Sequence, residues 1–151
     1  MDKTLDQIAV GIVNILLVED NAGDVILMVQ ALKQTATPYR LDVVNDGEEA
    51  MKYLRKQGKY GNDPRPNLIL LDWRLPTKGG RECLAEIKGD KELRTIPVIV
   101  LSVSTERQDI VDSYNLGANC FITKPFGWAN FVNTVKAAEH FWLEVATLPK
   151  T

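Results

Sequence analysis

Five short apolar runs, each followed by a polar turn and a stretch of helical spacing, restrict the fold of this chain more than any other feature. They are NILLV (14–18), RLDVV (40–44), LILLD (68–72), PVIVLS (97–102) and CFIT (120–123). The first, third and fourth are almost entirely apolar, as strands covered on both faces must be. Apolar residues at helical spacing lie between them: Val25, Met28, Val29 and Leu32; Ala50, Met51 and Leu54, after the cap-like NDGEE; Cys83, Leu84 and Ile87; and Ile110, Val111 and Tyr114. A fifth helix is expected over residues 128–145. A strand–helix alternation repeated five times predicts an α/β fold, a doubly wound five-stranded parallel sheet with helices on both faces and an extended C-terminal helix.

At 151 residues the chain has the size of one domain. No second domain is expected after the fifth helix, so the predicted organisation is a tail over 1–13, a folded domain over 14–146 and a tail over 147–151. Residues 5–10 suggest a short helix in the first tail, and GKYGNDPRPN (58–67) reads as a polar loop. A net charge of −2 points neither to nucleic acid nor to an anionic membrane. The apolar runs are too short to span a bilayer, and the N-terminus carries no signal-peptide pattern. Cys83 and Cys120 fit no metal or redox spacing. They read as small buried or half-buried residues in a reducing, cytoplasmic setting.

Ligands of open α/β sheets bind beyond the carboxyl ends of the strands. Glu19 and Asp20 close the first strand and Asp72 closes the third, which is the first strand's neighbour in a doubly wound sheet. The three carboxylates are therefore expected to converge. Crowded carboxylates repel one another, and a hard cation such as Mg²⁺ relieves the repulsion through oxygen ligands. A carboxylate can also attack phosphorus to form an aspartyl-phosphate, so Asp72 is the candidate phosphoacceptor. Ser102 ends the fourth strand with a hydroxyl that can bond a phosphoryl oxygen, and Lys124 follows the fifth with a charge that can neutralise it. Singly, Asp20 could be a helix cap and Lys124 an ordinary surface lysine. Neither account explains Asp72.

LLVEDN, LILLDWRLP, VIVLS and FITKPF, in this order and spacing, resemble the receiver domains of two-component response regulators. The resemblance covers residues 14–138. It implies strand order 2-1-3-4-5 and phosphorylation of Asp72 by a histidine kinase. It implies Mg²⁺ held by Glu19, Asp20, Asp72 and the backbone carbonyl of Arg74. Ser102 and Phe121 would be the switch pair, Lys124 the phosphate contact, and the Lys124–Pro125 bond cis. The segments NDPRPNLILLD, GREC-LAEIK and HFWLEVATLP further resemble the small stand-alone regulators of cyanobacterial phytochromes, which makes a phytochrome the expected kinase. The product would be a phosphoprotein that catalyses only its own phosphorylation and dephosphorylation, with output through a protein partner or phosphate shuttling.

Some positions depart from the common pattern. Gly79 replaces a frequent Asp and is expected to loosen the turn before the third helix. Val103 is expected to impede Phe121 or restrict access to Asp72. Arg74 is expected to reach the phosphate or a partner's acid. Trp73 is expected to lean over the pocket rim, and His140 to be a surface or interface residue. Phe141 and Trp142 are adjacent and point about 100° apart on an α-helix. They are expected to form part of a homodimer interface through the fourth and fifth helices; the rival account puts one on the sheet and the other on the N-terminal tail.

Other readings compete, a nucleotide-binding domain being set aside because no Gly-rich phosphate loop follows any strand. A phosphatase with an Asp nucleophile would carry a second acid where Arg74 stands. A pseudo-receiver would bind a partner independently of phosphorylation.

Overall fold

The structure, a computed structural model, describes residues 11–149. The helix suggested over residues 5–10 lies outside them. Five strands, β1 (Val13–Val18), β2 (Tyr39–Val44), β3 (Leu68–Asp72), β4 (Val98–Ser102) and β5 (Cys120–Thr123), form one parallel sheet in the order β2-β1-β3-β4-β5. The helices are α1 (Ala22–Leu32), α2 (Gly47–Leu54), α3 (Gly80–Gly89), α4 (Arg107–Asn115) and α5 (Trp128–Glu139). This is the predicted doubly wound, flavodoxin-like fold. None of the described helices is long and apolar enough to cross a membrane.

Strand alternation divides the core in two. Leu16, Val18, Ile69, Leu71, Val98 and Val100 face α2 and α3. Ile15, Leu17, Leu68, Leu70, Ile99 and Leu101 face α1 and α5. Every residue of β3 and β4 is buried, which is why both read as nearly unbroken apolar runs. Local chemistry starts the first two helices: Asn21 Oδ1 accepts the Asp24 N–H at 3.0 Å, and Asp46 Oδ1 accepts the Glu49 N–H at 2.8 Å. Asn21, not Asp20, caps α1.

Three expectations are corrected. The fifth helix is α-helical only to Glu139; His140–Val145 winds as a π-helix, with the Ala146 N–H donating to the Phe141 carbonyl at 2.7 Å. The wider turn brings Leu143 into the core and leaves Val145 60% exposed. In α4, Val111 and Tyr114 are exposed and the buried residue is Ser113, whose hydroxyl donates to the Ile110 carbonyl at 2.9 Å. Finally, no peptide bond is cis among the described residues, so the Lys124–Pro125 bond is trans. Trans is favoured even before proline, and Lys124 is already anchored through its N–H to the Ser102 carbonyl at 2.7 Å.

Candidate functional site

Pairing of β1 with β3, Val18 opposite Leu71, sets the ends of the two strands side by side. Carboxylate oxygens of Glu19, Asp20 and Asp72 consequently lie within 4.8 Å of one another. Glu19 and Asp72 are buried and Asp20 is exposed. The donors are all carboxylate oxygens, one of them open to water, and this set fits a hard divalent cation.

Lys124 enters from the end of β5 with a side chain only 7% exposed. Its Nζ donates to Glu19 Oε1 at 2.6 Å and Asp24 Oδ2 at 2.9 Å, and lies 3.4 Å from Asp72 Oδ2. Burial alone would lower the lysine's pKa, but the bonds to Glu19 and Asp24 and the charges of Asp72 and Glu19 outweigh it and hold the ammonium above its ordinary value. One ammonium does not neutralise this many acids. Burial, then the bonded Asp72 carboxylate, pushes Glu19 up to about 7 despite Lys124. The cluster is therefore starved of positive charge, as a cation site should be.

Asp24 was not singled out in the sequence. It sits in the first turn of α1 and reads there as a helix-start residue; only folding places it against Lys124, a hundred residues away.

Ser102 is fully buried at the end of β4, and its Oγ accepts the Ser104 N–H at 3.1 Å. Phe121, in β5 opposite Val100, is half-buried against the α2/α3-side core, and its N–H donates to the Tyr114 hydroxyl at 3.1 Å. Val103 is exposed and lies outside the core against which Phe121 packs.

The Arg74 N–H donates to Asp72 Oδ1 at 3.3 Å, while its guanidinium lies 3.9 Å from Asp109 of its own chain. Trp73 does not lean over the rim: it is 7% exposed, packed in the core, with the Arg81 guanidinium 5.4 Å above its ring. Gly79 is extended with open space around it, and α3 starts without a side-chain cap, as the missing Asp implies.

The C-terminal pair is split. Trp142 is half-buried against the α1/α5-side core, while Phe141 is 51% exposed and meets it edge to face at 5.3 Å. His140 is exposed, with Nδ1 2.6 Å from Glu144 Oε2. Both cysteines are free, Cys83 buried and Cys120 half-buried.

Residues 15–136 match the family described as the response regulator receiver domain. The chain is 47% identical over 135 residues to response regulator Rcp1 of Synechocystis sp., covering 89% of this chain and 92% of that protein. Among solved structures, the phosphorylated cyanobacterial phytochrome response regulator RcpA superposes with a TM-score of 0.88 at 51% identity, covering 91% of this chain and 98% of the other. The Mn²⁺-bound form of Rcp1 gives the same TM-score of 0.88 at 47% identity, covering 91% and 99%.

Proposed function

Because the chain belongs to the response regulator receiver family, we propose that it is a single-domain response regulator of a phosphorelay, phosphorylated on Asp72 by a sensor histidine kinase. The single-domain reading draws on relatives that the chain matches over nearly their whole length. The observation that carries the chemistry is the convergence of Asp72 with Glu19, Asp20 and Lys124 at one end of the sheet.

A carboxylate oxygen of Asp72 attacks phosphorus, and the phosphorus–nitrogen bond of the kinase's phosphohistidine breaks, returning its electron pair to the imidazole. Lys124 stands within reach of the new phosphoryl oxygens and shifts from Asp72 onto them. Glu19, Asp20, Asp72 and the backbone carbonyl of Arg74 would hold Mg²⁺, whose chemistry is to neutralise charge on the phosphoryl oxygens. The Ser102 hydroxyl, now accepting from Ser104, turns to the phosphoryl group, and Phe121 follows it inward. Catalysis is positioning and charge neutralisation, confined to the protein's own phosphorylation and dephosphorylation.

The partner kinase is a cyanobacterial phytochrome, a reading supported by the likeness to RcpA and Rcp1. The setting is cytoplasmic, without nucleic acid or membrane as a partner. The unit that acts is residues 14–146. The surface that transmits the signal is α4, β5, α5 and the π-turn after it, where Val111, Tyr114, Trp128 and Phe141 are exposed aromatic or apolar residues. Two copies pair through it.

The test of the chemistry is intact mass after incubation with Mg²⁺ and acetyl phosphate. One phosphoryl adduct is expected in the wild type, lost with EDTA and in Asp72→Asn. If the wild type takes none either from acetyl phosphate or from a phosphorylated kinase, the reading is wrong. For pairing, sedimentation is expected to give a dimer at tens of micromolar for the wild type and a monomer for Phe141→Asp. A monomeric wild type, phosphorylated or not, rules the dimer out.

A further inference from the structure

The first turn of α4 holds a fixed anion opposite a loosely held cation. Ser104 is buried; its N–H donates to Ser102 Oγ at 3.1 Å, and its own Oγ accepts the Glu106 N–H at 3.2 Å and donates to Asp109 Oδ2 at 2.6 Å. This pins the Asp109 carboxylate, whose side chain is 17% exposed. Across a cleft of about 260 Å³, Asp109 faces two arginines, Arg74 Nη2 and Arg81 Nη2, each at 3.9 Å.

The two arginines differ. Arg81 is held without Asp109, by Asp112 at 2.6 Å and by the face of Trp73. The Arg74 guanidinium is largely exposed and has no other acidic partner among the described residues. Its backbone N–H is bonded to Asp72 Oδ1, so its side chain starts beside the phosphoacceptor.

Resting on the receiver reading above, we propose that Asp109 is a positioning residue: it holds Arg74 away from Asp72 until a phosphoryl group on Asp72 competes for the guanidinium. Geometry and charge favour the exchange. An exposed ion pair at the long end of its range biases a side chain only about 1.5- to fivefold. A phosphoryl group offers several charged oxygens to a planar fork of donors, a stronger partner than one carboxylate. Asp109 stays tied to Ser104 when Arg74 leaves, so the segment that follows Ser102 loses a cationic neighbour as Asp72 is loaded.

The experiment measures the affinity for beryllofluoride in the presence of Mg²⁺ for the wild type, Asp109→Asn, Arg74→Ala and the double variant. Asp109→Asn keeps the shape of the side chain and removes its competition for Arg74. It is expected to bind about two- to fivefold tighter than the wild type, and this gain is expected to vanish in the Arg74→Ala background. Unchanged affinity in Asp109→Asn, or the same gain with Arg74 absent, overturns the latch while leaving the receiver chemistry intact. If the wild type neither binds beryllofluoride nor takes a phosphoryl group, the receiver reading fails and the latch fails with it. Should Asp109→Asn not fold, the Arg74 Nε–H resonance of the wild type decides: a shift on loading supports the exchange, and an unmoved signal overturns it.

Discussion

Lys124 meets Glu19, Asp24 and Asp72 with a single ammonium, and Asp20 stands at the edge. Such an arrangement is costly to bury unless a cation joins it, so the site stores repulsion that ligand binding releases. A neighbouring backbone constraint is steric. A Cβ on Gly80 would stand 2.5 Å from the Asp72 carbonyl oxygen and 2.7 Å from Trp73 Cα, so α3 can begin this close to Asp72 only with glycine there. Gly79 has no neighbour within 4 Å of such a Cβ. Gly80→Ala is expected to destabilise the protein by about 1–3 kcal/mol in urea unfolding. Gly79→Asp is expected to stabilise it by about 0.5 kcal/mol by capping α3. Equal effects of the two would contradict the packing described.

At the scale of elements, the π-helix decides how the C-terminus meets the sheet. Phe131 and Val135 are buried on α5; beyond Glu139 the wider turn puts Leu143 inward and Phe141 and Val145 outward. Leu143→Ala is expected to cost about 2–4 kcal/mol in denaturant unfolding, and Val145→Ala less than about 0.5 kcal/mol. The reverse order would indicate an unbroken α-helix. On the opposite layer, Lys88 ties α3 to the segments that lead into β4 and β5: its Nζ donates to the carbonyls of Arg94 and Ile96 at 2.9 Å each and to Asn119 Oδ1 at 3.0 Å. Gly117, at φ 104°, leaves room for its stem. Ser113 is the buried residue of α4, so that helix presents no fully buried apolar side chain to the sheet.

Across the whole molecule the C-terminal segment straps the residues that lead into β2 and β3. Glu144 Oε1 accepts the Ala36 N–H at 3.2 Å, the Thr37 hydroxyl donates to the Leu143 carbonyl at 3.2 Å, and Asn67 Nδ2 donates to the Pro149 carbonyl at 3.2 Å. The Ala36 N–H, then His140, hold the Glu144 carboxyl below its ordinary value. A depressed carboxyl stabilises the fold above its unfolded pKa and loses that contribution as the pH falls through the folded one. Melting temperature is therefore expected to fall less between pH 5 and pH 3 in Glu144→Gln than in the wild type. Parallel curves would remove Glu144 from the strap.

The strands and the acids at strand ends were legible because strand periodicity is local and strand ends are where a doubly wound sheet binds ligands, while the sheet order came from the resemblance to receiver domains. Glu19, Asp72, Ser102 and Lys124 stand where that rule puts them. The π-turn was hidden, since apolar spacing does not report which carbonyl a late N–H chooses. The burial of Trp73 was hidden as well, because Arg81, eight residues on, covers it only once α3 is packed. By itself the sequence determined the class of fold and the chemistry each strand end can offer. Tertiary structure alone decided which distant groups meet: Asp24 with Lys124, Asp109 with Arg74, Lys88 with Asn119. Pairing across tens of residues depends on how the helices pack against the sheet, and no spacing along the chain encodes that distance.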